Sequence, residues 1–550
     1  MYNKILILFI TSYLSLKAVS FSPEVFVGQH EIVVAGHSEA AEAGLKILHE
    51  GGNAIDASVA VSLSLGVAEP YASGLGGKIE ILYYNSKDKT VSVIDGMDMA
   101  SRTLPVEEFI HLSKHKRIEE GASAAIPGLA RGLFLAHQKW GRLSWSKDVE
   151  PSWILAESGT KVYAKTVQLM NESFSRFRNN QEANKLFLIN GKMPAIGSRL
   201  KNLDLANTLR MLGAKGADFI YTGDTAEAIV SCIVKAGGYM TLNDLSSYSA
   251  KLLEPISIPF KSGRLYSTSP VSGGGVLLGT IASLDKRLNT SSLFRSAENL
   301  DKFGKMFEIQ HAKFESATGD DNEVNTRFKE LLADKINVNN SFNLTDLADV
   351  EVNDYDSKQQ STTHFIVVDR DRNIACVTQS LSYHYGCGII ITGTGIIMNN
   401  SLSNFSVTAQ GKPNYVTPGK RPKSTIAPSI WLDKYNQPKL AIGLPGGARI
   451  TTGLAQVILD YGEFNRSLSE SIADVRVHIL TSPKKSILES ESGMNETLIR
   501  DLKKIGWDVK VVEQLGTGEQ FGGVNAVEFM PNGCLRGVAD LRRTNAVRGD

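Results

Sequence analysis

Cysteine is scarce in this chain. There are four in 550 residues, Cys232, Cys376, Cys387 and Cys534, with no C-x-x-C pair and no histidine spaced beside them as a ligand set. That speaks against a disulfide-built scaffold or a thiolate metal module, and a chain this long can fill a core without covalent staples. An excess of either charge is also missing. Lys and Arg total 59 against 58 Asp and Glu, a net of +1, and no long basic block occurs. The footprint of a nucleic-acid or membrane-surface binder is therefore absent, and small molecules are the expected partners. Beyond the N-terminus no apolar run approaches a bilayer-spanning length. A phosphate loop is lacking too: "GLGGK" at 74–78 has neither the Walker spacing nor a preceding strand.

What is present begins at the N-terminus. "MYNKILILFITSYLSLKAVSF" has one lysine, an apolar stretch from Ile5 to Leu16, and small residues flanking Val19. It reads as a signal peptide over 1–20 cut after Ser20, which places the mature chain in an exported setting (periplasmic, secreted or on the extracellular face) with no membrane span left. "SEAAEAGLKILHEGGNAIDASVAVSLSLGVAEP" predicts a helix stopped at Gly51–Gly52, then a second from Ala54 to about Val67 that is apolar nearly all round and so buried. A Gly-rich turn and a two-strand hairpin follow, and 150–250 reads as mostly helical. Residues 315–361 are polar with little periodicity, which predicts a surface loop. "HFIVVDRDRNIACVTQSL" predicts two strands around a turn, and "GIIITGTGIIMNN" predicts more strand. Helices dominate before the loop and strands after it. Neither half looks self-sufficient, so one layered α/β unit built by both is expected.

Where the loop ends, "STTH" places paired hydroxyls at the start of a strand. Alone, that is only β-branched residues in extended backbone. Six further segments change its weight: "GGNAIDASVAVSLSLGVAEPYASGLGG", "AIPGLARGL", "STSPVSGGGVLL", "GTGIIMNNSLSNFS", "KRPKSTIAPSI" and "GLPGGARITT". With "STTHFIVVDRDRN" they resemble, in order and from about Val33 to the C-terminus, a γ-glutamyltransferase (glutathione hydrolase) precursor of the N-terminal nucleophile hydrolases. The resemblance implies an α+β fold, a four-layer αββα sandwich shared by the two halves of a self-cleaved precursor. The cut falls between Ser361 and Thr362, leaving a large subunit 21–361 and a small catalytic subunit 362–550. Thr362 then carries both a hydroxyl nucleophile and an α-amine with an unperturbed pKa of about 7.7–8.0, so one residue supplies nucleophile and base.

Other roles follow from the same resemblance. Gly446 and Gly447 match the backbone N–H pair of an oxyanion hole. Thr363 and Ser380 match positions that hydrogen-bond the nucleophile region, with Ser380 in place of a threonine. Ser424 and Thr425 match the hydroxyls that hold a donor's α-carboxylate, and His364 is a structural strand residue. The implied partners are a glutathione-like γ-glutamyl donor, with water, an amino acid or a peptide as acceptor. No cofactor or metal is called for.

Some positions depart from the family. Met97 stands where an arginine grips the donor carboxylate, Asn404 where an acid pairs with its ammonium, Ser401 where a glutamine is usual, and Ser382 where an asparagine is usual. Losing one charge-assisted contact costs about 1.5–3 kcal/mol. Two such losses weaken donor selection by roughly two to four orders of magnitude. Lys78, where glycine is usual, and Arg102 are the candidates to supply charge. The segment between Phe405 and Arg421 looks short for a lid, which implies an open cleft. Three readings stand: the γ-glutamyl hydrolase or transpeptidase, an amidohydrolase for a glutaryl-type or polymeric acyl group, and a non-catalytic family member.

Overall fold

The computed structural model describes residues 22–177, 180–268, 270–333, 360–408, 410–482, 485–512 and 521–550. The proposed signal segment 1–20 and residues 334–359 of the expected loop lie outside them. Two seven-stranded antiparallel sheets form the centre. The first runs, edge to edge, Glu24–Gly28, Leu535–Ala539, Asn525–Phe529, Pro438–Gly443, Ser429–Leu432, Gly263–Ser267, Ile256–Phe260. The second runs Ala546–Gly549, Ile32–Ala35, Gln360–Val368, Ile374–Tyr383, Lys78–Asn85, Thr90–Gly96, Lys251–Leu253. Each sheet takes strands from both sides of Thr362, so neither half closes a core alone.

The apolar runs explain the layering. In a strand successive side chains point to opposite faces. On the second sheet Ile366 and Val368, with Ile32 and Val34, pack against Ile430, Leu432, Ala441 and Val527 of the first. Phe365 and Val367, with Val33 and Ala35, pack on helices Ser38–His49, Ala54–Ala68 and Leu129–Trp140. The far face of the first sheet, with Leu440, Ile442 and Ala526, is covered by Gly274–Leu284, Ala297–Ala317 and Arg449–Glu463. The order is therefore helix, sheet, sheet, helix, the sandwich expected from the sequence. A strand buried on both faces must be apolar throughout, which is why "FIVV" and "IVVA" show no alternation. Helix Ala54–Ala68 is likewise buried on every side, its start closed by a capping box between Asn53 and Asp56.

Two expectations need correction. The strand expected in "GIIITGTGIIMNN" is absent, and only isolated bridges Ile390–Ile397 and Gly76–Met398 form there. Gly393 and Gly395 take φ of 72° and 68°, left-handed values that turn the chain instead of extending it. The expected loop from 315 starts later, because helix Ala297–Ala317 runs into it and Val324–Ala333 adds another. No disulfide forms among the described residues. No helix among the described residues is long and apolar enough to cross a membrane.

Candidate active site

Thr362 sits at a flaw in its ladder. Ser361 pairs with Ser382 and Thr363 with Gln379, so the register slips by one residue around Thr362. The slip brings Ser380 beside Thr362. Thr362 Oγ1 donates to Ser380 Oγ at 3.2 Å, and Ser380 Oγ donates in turn to the Ser361 carbonyl through a short bond. The Ser382 N–H also donates to Ser380 Oγ at 2.8 Å, fixing its orientation. Arg543 Nη1 donates to the Thr362 carbonyl at 2.8 Å. A single hydroxyl thus bridges the Thr362 side chain and the peptide bond that precedes it.

Thr362 opens on a cavity of about 180 Å³. Ser380, Ser382, Asn404, Ser424, Thr425 and Gly447 line it as well. Gly447 and Ala448 lead into helix Arg449–Glu463, so the N-terminal, partly positive end of a 15-residue helix faces the cavity. Gly447 has φ of 57°, a conformation L-residues adopt at a cost. Gly446 and Thr363 lie outside the lining. A Cβ on Gly446 would meet Leu444 and Gly522, while Thr363 Oγ1 lies against Gly36 near Glu69.

At one end of the cavity Lys78 enters, its strand paired with that of Ser380. Lys78 Nζ donates to Ser382 Oγ at 2.8 Å and to Ser401 Oγ at 3.0 Å, and lies 3.5 Å from Asp98 Oδ2. Burial pulls the Lys78 ammonium down and pushes the Asp98 carboxyl up, each opposed by the other's charge. Ser382 itself has φ of 78°, a backbone outlier in the site. Elsewhere in the cavity Lys423 is ion-paired to Glu315, with His311 and His478 close by. Both histidines are held below the ordinary range, chiefly by burial.

Met97 requires a correction. It does not line the cavity; it is fully buried in the core between the first sheet and its helices. An apolar thioether gains more from that core than from a polar cavity. Arg102 is also elsewhere, exposed and hydrogen-bonded through its guanidinium to Ser247. Of the two cations considered, Lys78 is the one in the site. Ser401 contacts Lys78 without lining the cavity itself. His364 is buried between the sheets, its Nδ1 2.9 Å from Thr378 Oγ1, and burial pushes it down to about 3. It stays neutral near pH 7 and is structural. Among the described residues none from 405 to 422 lines the cavity; Phe405 and Val416 pack into a separate apolar cluster. Asp98, Arg543, Lys423 and Glu315 carried no pattern by which sequence reasoning singled them out.

A family model described as Gamma-glutamyltranspeptidase matches residues 40–549. The chain belongs to that family. It is 30% identical to the "Glutathione hydrolase proenzyme" of Bacillus subtilis, over 96% of this chain and 92% of that one. It is 29% identical to the protein of the same name from Escherichia coli, over 93% and 90%. Among solved structures, a cephalosporin acylase from Bacillus halodurans superposes with a TM-score of 0.85 at 24% identity, covering 96% of this chain and 97% of that chain. That likeness is one of fold alone.

Proposed function

We propose that this chain is a zymogen that cuts itself between Ser361 and Thr362 and then cleaves γ-glutamyl-type amides through an acyl-threonine. The observation that carries this reading is the Ser380 hydroxyl, bridging Thr362 Oγ1 and the Ser361 carbonyl at the mouth of a cavity. In maturation Thr362 Oγ attacks the Ser361 carbonyl carbon, and the peptide C–N bond breaks as an ester forms. Water then hydrolyses the ester, leaving a Ser361 carboxylate and a free Thr362 amine.

In turnover that amine takes the Thr362 hydroxyl proton while the oxygen attacks the donor's amide carbon. Backbone N–H groups at Gly446–Gly447 stabilise the oxyanion. The amine passes its proton to the leaving amine, and water or an amine acceptor then takes the acyl group. The names of the relatives support an acyl group of the γ-glutamyl type, and the leader-like segment 1–20 supports export. The test is direct. Purified protein separates into two fragments, the smaller beginning Thr-Thr-His-Phe, and releases aniline from an acyl anilide. Thr362→Ala stays one chain. A fully active single chain would end this account.

A further inference from the structure

We propose that Lys78 closes the ammonium end of the acyl pocket, so that the preferred donor carries a glutaryl-type acyl group without an α-ammonium. The inference rests on the proposed acyl-threonine chemistry and concerns which acyl group fits it. It follows from counting protons and lone pairs. Ser401 Oγ donates its one proton to Asp98 Oδ2. The 2.8 Å contact between Ser382 Oγ and Ser401 Oγ must therefore use the Ser382 proton.

Ser401 then accepts from Ser382 and from Lys78 Nζ, which fills both its lone pairs. Ser382 accepts from Lys78 Nζ and from Asn404 Nδ2 at 3.3 Å, which fills both of its own. Lys78 Nζ donates to Ser382 and Ser401 and is ion-paired to Asp98 at 3.5 Å. Both of these hydroxyls are saturated, in a network built around an ammonium the protein supplies. An incoming α-ammonium would find no hydroxyl lone pair to accept from it and a like charge beside it. Asn404 offers an amide where pairing would need a carboxylate. Asp98, the carboxylate paired with Lys78, is fully buried behind it and already engaged, and Glu315 across the cavity is ion-paired to Lys423.

A donor whose acyl chain ends in a carboxylate with no amine meets none of these costs. Ser424 and Thr425 remain to hold that carboxylate, and the positive Lys78 favours an anionic acyl group over a zwitterionic one.

The test compares glutaryl and γ-glutamyl p-nitroanilides on the processed enzyme. We expect kcat/KM to favour glutaryl by about tenfold or more, the scale of one charge-assisted contact. Lys78→Met removes the ammonium and frees acceptor lone pairs on Ser382 and Ser401, so the ratio moves toward γ-glutamyl by about tenfold or more. Self-cleavage reports whether the variant folds. If the unpaired Asp98 prevents folding, Lys78→Met with Asp98→Asn removes both charges, and the same shift is expected. A wild-type preference for the γ-glutamyl donor, or a ratio that neither variant moves, overturns the proposal. Calorimetric binding of glutarate against L-glutamate reads the pocket without turnover. If neither anilide is cleaved, the proposed chemistry fails; tighter glutarate binding then still supports the pocket assignment, and equal or tighter L-glutamate binding refutes it.

Discussion

Replacing Ser380 by alanine isolates the proposed self-cleavage step. When Thr362 attacks the preceding peptide bond, negative charge develops on the Ser361 carbonyl oxygen. The Ser380 hydroxyl is the side-chain donor that touches that oxygen, and it also accepts from Thr362 Oγ1. Ser380 is buried at 2% exposure, so water does not readily replace it. Removing one donor aimed at a developing oxyanion costs about 2.7–4 kcal/mol, a factor of about 10²–10³ in rate. Ser380→Ala should therefore mature about 10²–10³ times more slowly than wild type. Ser380→Thr keeps the hydroxyl and should mature at a rate much nearer to wild type. The assay is a gel time course of the single chain at fixed temperature, with the new terminus read by mass spectrometry. Melting temperatures of the uncut variants check that the fold survives. Maturation of the alanine variant at the wild-type rate, or equal slowing in the alanine and threonine variants, would refute the reasoning.

Gly447→Val adds a β-branched side chain where φ is 57° and backbone must approach the substrate. Turnover by the processed variant should fall by about 10²-fold or more, and an unchanged rate would reduce the segment to a turn. Far from the site, burial pushes the Asp148 carboxyl up to about 7, against the opposing pull of His137 and with help from Asp56. A carboxyl raised above its unfolded value of about 3.9 stabilises the fold below that value and loses the contribution as pH rises through about 7. His137, also raised, acts in the same direction. The melting temperature should fall between pH 5 and pH 8, and less so in Asp148→Asn; an identical slope in both proteins would contradict this origin.

Much of the architecture was readable along the chain, because its causes are local. The apolar run in "HFIVV" marks a strand, the all-round apolar run from Ala54 marks a buried helix, and the paired glycines 51 and 52 mark a helix stop. The segments "STTH" and "LPGG" were singled out by their resemblance to the family, and one residue of each, Thr362 and Gly447, lines the cavity. Glycine at 393 and 395 was legible only in part, because a β-branched setting masks a turn until its φ values are known.

Proximity between distant segments was not legible. Lys78 and Ser382 are 304 positions apart, and only the pairing of strands Lys78–Asn85 and Ile374–Tyr383 brings the ammonium to the hydroxyl. The register slip at Thr362, which decides that Ser380 meets the Ser361 carbonyl, is a property of the ladder rather than of any residue. Met97 and Lys78 show the division most clearly. Sequence position nominated Met97 for the pocket, but packing sent its apolar side chain into the core and left the cavity to a lysine. Residue type and local order determine which groups are available. The sheet register and the competition for buried space determine which of them meet.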